Sequence, residues 1–179
     1  SCLRKVLTAG ERARDLVNQI LAFSRSTEQE MRPVKAQIIV KEALKLLSAT
    51  LPSTIRIVSH MESSATIMAD PTQIHQVIIN LCTNAAHAMR DSGGQLTVSV
   101  CDKPLEEAAL HHHADLPAGQ YLQISVIDTG CGISPQIVDR IFDPFFTSQD
   151  QGAATGMGLS VVHGIVKGCG GSIQVHSAP

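Results

Sequence analysis

The stretch Asp70-Pro-Thr-Gln-Ile-His-Gln-Val-Ile-Ile-Asn80-Leu-Cys-Thr-Asn84-Ala-Ala-His87-Ala88 decides the fold. Asp70 suits a helix N-cap because its carboxylate accepts the free N–H groups of a first turn. Pro71 fits the first helical position, and Gln73 stands where a capping box is completed. Ile74, Val77, Ile78, Leu81, Ala85 and Ala88 recur at helical spacing on one face, while Gln73, Gln76, Asn80, Asn84 and His87 trace the other. The spacing predicts an amphipathic helix whose polar side carries two amides stacked at i and i+4. Gly93-Gly94 then ends the segment and turns the chain into Gln95–Cys101, an alternating strand.

Working outward, Gln37–Ala49 reads as a helix with Ile38, Ile39, Ala43, Leu46 and Leu47 inward. Ile55–His60, Thr66–Ala69 and Tyr121–Ile127 read as strands, with Ser172–His176 as a final one. Asp102–Gln120 is a long loop that includes His111–His113, read as solvated. Ser134-Pro135 opens a short helix to Phe142, and Leu159–Lys167 is another helix. Strands on one side and helices on the other predict an α/β two-layer sandwich, a mixed sheet covered by helices on one face. Ahead of it, Leu3, Val6, Gly10, Ala13, Val17 and Ile20 alternate spacings of three and four, which predicts one long amphipathic helix with a coiled-coil-like seam. A lone helix of that length is marginal in water, so the stripe needs a partner, in a helical hairpin or dimer. The expected division is residues 1–26 as this helix, 27–35 as linker, and 36–179 as the globular domain.

Bulk properties exclude several classes. The chain has 179 residues, is 44% hydrophobic and has net charge −2 with no basic run, which argues against nucleic acid or an anionic membrane as partner. Cys2, Cys82, Cys101, Cys131 and Cys169 are odd in number and widely spaced, as expected of reduced cytoplasmic thiols rather than a disulfide frame or zinc site. No apolar run approaches the roughly 18 residues of a membrane span, so any anchor is expected upstream.

The chemistry points to Mg-ATP. Gly-x-x-x-x-Gly-Lys-[Ser/Thr] occurs nowhere, so a Walker-type cradle is excluded. Asn80 and Asn84 offer neutral, hard amide oxygens suited to Mg²⁺ that is shared with phosphates. Asp128 ends an apolar strand and leads into Thr-Gly-Cys-Gly; its carboxylate can accept a hydrogen bond from an exocyclic amine such as that of adenine. Gly130 and Gly132 allow close backbone approach and unusual dihedrals. Gly156-Met157-Gly158 starts a helix whose free N–H groups suit phosphate oxygens. Phe142, Phe145 and Phe146 either anchor the polar segment 147–155 or form a small local core. His87, on the amide stripe, is either a phosphate contact or a surface residue.

In this order the motifs resemble the catalytic, ATP-binding domain of two-component sensor histidine kinases. Asn80-Leu-Cys-Thr-Asn-Ala-Ala-His-Ala-Met89 is similar to the family's N box and Asp128-Thr-Gly-Cys-Gly-Ile133 to its first glycine box. Phe142–Phe146 is similar to its F box, and Gly156-Met-Gly-Leu-Ser160 to its second glycine box. Residues 13–25 resemble the second helix of the dimerisation and phosphotransfer hairpin. The resemblance implies the Bergerat fold shared with DNA gyrase and the Hsp90 chaperones. It implies nucleotide contacts from Asn80, Asn84, His87, Asp128, Gly130, Gly132, Ile133, Phe146, Thr147, Gly156, Met157, Gly158, Leu159 and Ser160, with Asn80 and Asn84 on the metal. It also implies a homodimer through the hairpin and a response-regulator receiver as partner. None of the histidines has the acceptor's His-acid context, so the phosphoacceptor is expected ahead of Ser1, and the closing strand after Pro179. ATPases of the superfamily place a general-base Glu four residues before the metal-binding Asn, where this chain has Asn80. That favours keeping ATP intact for a histidine nucleophile. The alternative is a nucleotide-gated clamp of the same superfamily.

Overall fold

The computed structural model describes residues 30–105, 116–147 and 156–178. The expected helix over residues 2–24, His111–His113 and most of the segment 147–155 lie outside the described residues. Strand β1 (Arg32–Val34) pairs antiparallel with β3 (Ile67–Ala69) in a small two-stranded sheet. Helix α1 (Ala36–Thr50) and β2 (Ile55–Met61) lie between them; helix α2 (Pro71–Ala88), β4 (Gly94–Leu105), β5 (Gly119–Asp128) and helix α3 (Gly158–Gly168) follow. The larger sheet has the order β2-β4-β5, with β2 parallel and β5 antiparallel to β4, so it is mixed as expected.

The core forms between this sheet and the helices. Leu96, Val98 and Val100 alternate inward from β4 and are fully buried against Val40, Ile78, Cys82 and Val162 of the three helices. Each such side chain contributes about 1.5–3 kcal/mol by leaving water. Thr97, Ser99 and Cys101, on the other face of the same strand, stay partly exposed. Burial also makes the Cys82 thiol inert: its pKa is pushed up to about 12 by desolvation.

Five local expectations change. Arg32–Val34, expected to be linker, is a strand, because its backbone pairs with Ile67–Ala69. On α1 the buried set is Ala36, Ile39, Val40, Ala43, Leu44 and Leu47, and Ile38 and Leu46 face outward at 49% and 59% exposure. The long loop shrinks, since β4 runs to Leu105 and β5 starts at Gly119. The short helix before Phe142 is a single 3-10 turn, Val138–Arg140. Ser172–His176 forms no ladder, although Ile173 still packs on the main core. No helix among the described residues is long and apolar enough to cross a membrane.

Candidate functional site

Helix α2 is the spine of the site. Asp70 caps it as expected, its Oδ1 accepting the Thr72 N–H at 2.8 Å with Pro71 in the first turn. The expected capping box is not completed, because Gln73 Oε1 is buried without a hydrogen-bond partner. Asn80, Asn84 and Ala88 follow at i, i+4 and i+8. They form one face of the helix, about 12 Å long at 1.5 Å rise per residue. Both glycine elements rest on that face.

At the Asn80 end, the Asn80 Nδ2 donates to the Gly158 carbonyl at 3.2 Å. With that nitrogen committed, Oδ1 is the amide atom left to ligate. A β-carbon built on Gly158 would lie 3.7–3.9 Å from Asn84 Nδ2, Asn80 Cγ and Asn84 Oδ1. The glycine therefore leaves a methyl-sized hollow beside both amides, at the start of α3. Among the described residues no group of three or more His, Cys, Asp or Glu is placed to hold a metal. The donor set at the hollow is two neutral amides, which suits a hard cation that arrives with phosphate ligands of its own.

At the Ala88 end the contacts are tight. A β-carbon on Gly130 would fall 2.6 Å from the Ala88 Cβ and 2.8 Å from its carbonyl carbon and oxygen. Gly130 is therefore needed to pack the loop on α2. The Cys131 N–H donates to the Ala88 carbonyl at 3.2 Å, and Gly132 takes φ +70°. Asp128 is exposed at the end of β5, and its Oδ1 accepts the Gly130 N–H at 2.8 Å. That bond aims the carboxylate and leaves Oδ2 to accept from a ligand. Thr129 Oγ1 accepts the Gln95 N–H at 3.0 Å, which ties the loop to β4.

His87 is half-buried beside this face. Burial, and then the charge of Arg90, holds its pKa below the usual histidine value, and its Nδ1 is buried without a partner. A lowered pKa keeps the imidazole mainly neutral at pH 7. Phe146 lies under Arg140, whose guanidinium carbon is 4.6 Å from the ring centroid. Arg140 also reaches Asp143 at 3.6 Å. Phe142 stacks obliquely on His163 at 5.3 Å, while Phe145 is 72% exposed with φ +66°. Gly156, at φ +67°, backs directly onto the Phe145 and Phe146 backbone, where a β-carbon would sit 2.6–2.8 Å away. Thr147 is exposed beside this contact, Met157 is buried and Leu159 half-buried. The Ser160 hydroxyl donates back to the Met157 carbonyl at 2.9 Å, so its proton is already used.

Three participants were not legible in the sequence. Ala88 supports the glycine loop, Arg140 covers Phe146, and Ser177 Oγ accepts the Ile133 N–H at 2.8 Å. Ala88, expected on the apolar stripe of α2, instead lies in line with Asn80 and Asn84 under the glycine loop, and Arg140 and Ser177 belong to no local pattern. The Ile38-lined groove at β1 and the start of α1 holds none of the expected site residues.

Comparison with known proteins shows the family. Residues 69–179 match the family described as histidine kinase-, DNA gyrase B-, and HSP90-like ATPase. The chain is 39% identical over 169 residues to the sensor kinase CckA of Brucella abortus (strain 2308), covering 93% of this chain and 18% of CckA. It thus spans about a fifth of that relative's length. The solved catalytic domain of histidine kinase ThkA is 26% identical with a TM-score of 0.61, covering 78% of this chain and 81% of ThkA's. The structure of ThkA in complex with response regulator TrrA shares the fold at TM-score 0.64 and 22% identity, covering 90% of this chain and 42% of that one.

Proposed function

Because the chain belongs to the histidine kinase-, DNA gyrase B-, and HSP90-like ATPase family, and so carries its ATP-binding domain, we propose that it is the catalytic part of a sensor histidine kinase. Asn80 and Asn84 hold Mg²⁺ together with the triphosphate, and Asp128 selects the purine through its exocyclic amine. The metal, when bound, supplies charge neutralisation at the β- and γ-phosphates. The γ-phosphoryl passes to a histidine outside this chain: the bond from phosphorus to the β–γ bridging oxygen breaks, a nitrogen–phosphorus bond forms, ADP leaves and the imidazole gives up its proton. A response-regulator aspartate receives the group next. Residues 1–26 contribute to the dimerising hairpin of a cytoplasmic kinase region, and the nucleotide domain starts at β1.

The observation that carries this reading is the hollow beside the Asn80 and Asn84 amides, at Gly158. A carboxylate general base at position 80 would favour attack by water, and an amide cannot take that proton. Titration of ATP with and without Mg²⁺, followed by phosphate-release measurements, tests it. Magnesium-dependent binding with no steady phosphate release is expected. Steady release would favour an ATP-driven clamp, and no affinity for ATP would overturn the reading.

A further inference from the structure

The loop Asp128–Ile133 is fixed by bonds from three sides. Thr129 Oγ1 accepts the Gln95 N–H of β4 at 3.0 Å, and the Cys131 N–H donates to the Ala88 carbonyl of α2 at 3.2 Å. Past Gly132, whose left-handed φ of +70° re-aims the chain, the half-buried Ile133 N–H has no strand or helix partner. It finds the Ser177 hydroxyl at 2.8 Å, from 44 residues downstream.

The segment that presents Ser177 is itself anchored. The Gly171 N–H donates to the Val166 carbonyl at 2.9 Å as the chain leaves α3, and Ile173 packs on the main core. The first residue of α3 is Gly158, whose carbonyl receives Asn80. Two routes therefore connect the ends of the site. One is α2, through Asn80, Asn84 and Ala88; the other is α3 and the following chain, ending at Ser177.

We propose that Ser177 is a positioning residue for purine recognition: its hydroxyl holds the far side of the glycine loop so that Asp128 keeps its aim. This rests on the nucleotide reading above. It requires a hydroxyl at position 177 and no contact between Ser177 and the nucleotide.

The full chain tests it in two ways. In Ser177→Ala, Mg-ATP affinity should fall by about five-fold, the scale of one lost hydrogen bond, while Mg-tripolyphosphate affinity stays unchanged; Ser177→Thr should restore ATP binding. Independently of any nucleotide, amide exchange in residues 130–134 should quicken in Ser177→Ala, with α2 exchange unaltered. Unchanged ATP affinity and unchanged loop exchange in Ser177→Ala would overturn the proposal while leaving the nucleotide site standing. Equal losses for ATP and tripolyphosphate would also overturn it, since they mark general damage. A wild-type chain that binds no ATP would instead remove the nucleotide reading, and the exchange result would still decide whether Ser177 fixes the loop.

Discussion

At the Ala88 end of the α2 face a β-carbon on Gly130 would fall 2.6 Å from protein atoms, whereas at the Asn80 end one on Gly158 would stand 3.7 Å from the nearest amide. The two glycines look alike in the sequence and do opposite jobs. Gly130 lets the loop after β5 meet the backbone of α2. Gly158 keeps a space empty, and a single side-chain bond from Asn80 spans it. The Asn80 end is thus joined by one side-chain bond, and the Ala88 end by close backbone packing.

Substitution separates the two. Gly158→Ala needs no unusual φ and meets only ordinary contacts, so its melting temperature should match the wild type. Its methyl group occupies the hollow, and Mg-ATP affinity in a titration should fall by about 100-fold, or about 2.7 kcal/mol. Gly130→Ala should do the reverse, lowering the urea-unfolding free energy by about 1–3 kcal/mol through overpacking against Ala88. A Gly130→Ala protein of normal stability would break the contrast.

Smaller effects sharpen it. Asp128→Asn replaces an acceptor by an amide that must present either its oxygen or its NH₂; ATP affinity should drop by about ten-fold, while tripolyphosphate affinity holds. His87 gives a pH signature of the helix itself. Its pKa is lower in the folded protein than in the unfolded chain, through burial first and Arg90 second. As pH falls through the ordinary histidine value the unfolded chain takes up its proton first, so stability is present above that value and declines below it. Urea midpoints between pH 7.5 and 5.5 should show this decline, and His87→Gln should flatten it.

Much of α2 was legible because its signals are local. Asp70, Pro71 and the apolar spacing act within one element, and the structure starts the helix where they predict. Signals that depend on a neighbour were not legible. Pro33 and its polar surroundings resemble linker, yet Arg32–Val34 becomes a strand because Ile67–Ala69 lies beside it. Ser172–His176 has the alternation of a strand but no ladder. On α1, periodicity gave the helix but not its orientation, since Ile38 and Leu46 fit an inward stripe as well as Val40 and Leu44 do. At the site, Asn80, Asn84, Asp128 and the glycines were named from sequence, and the structure gathers them around α2. Their supports were hidden: Ala88 acts through its backbone carbonyl, and Ser177 through a hydroxyl 44 residues from its partner.

Gly156 pressed against Phe145 and Phe146 has a consequence for how this chain tolerates change. Positions 146 and 156 lie in backbone contact, so the number of residues that separates them hardly alters the anchorage. Doubling that number would add only about 0.6 kcal/mol of ring-forming entropy. Insertions there should leave the fold's stability nearly untouched, which makes this junction the natural place to splice in a reporter.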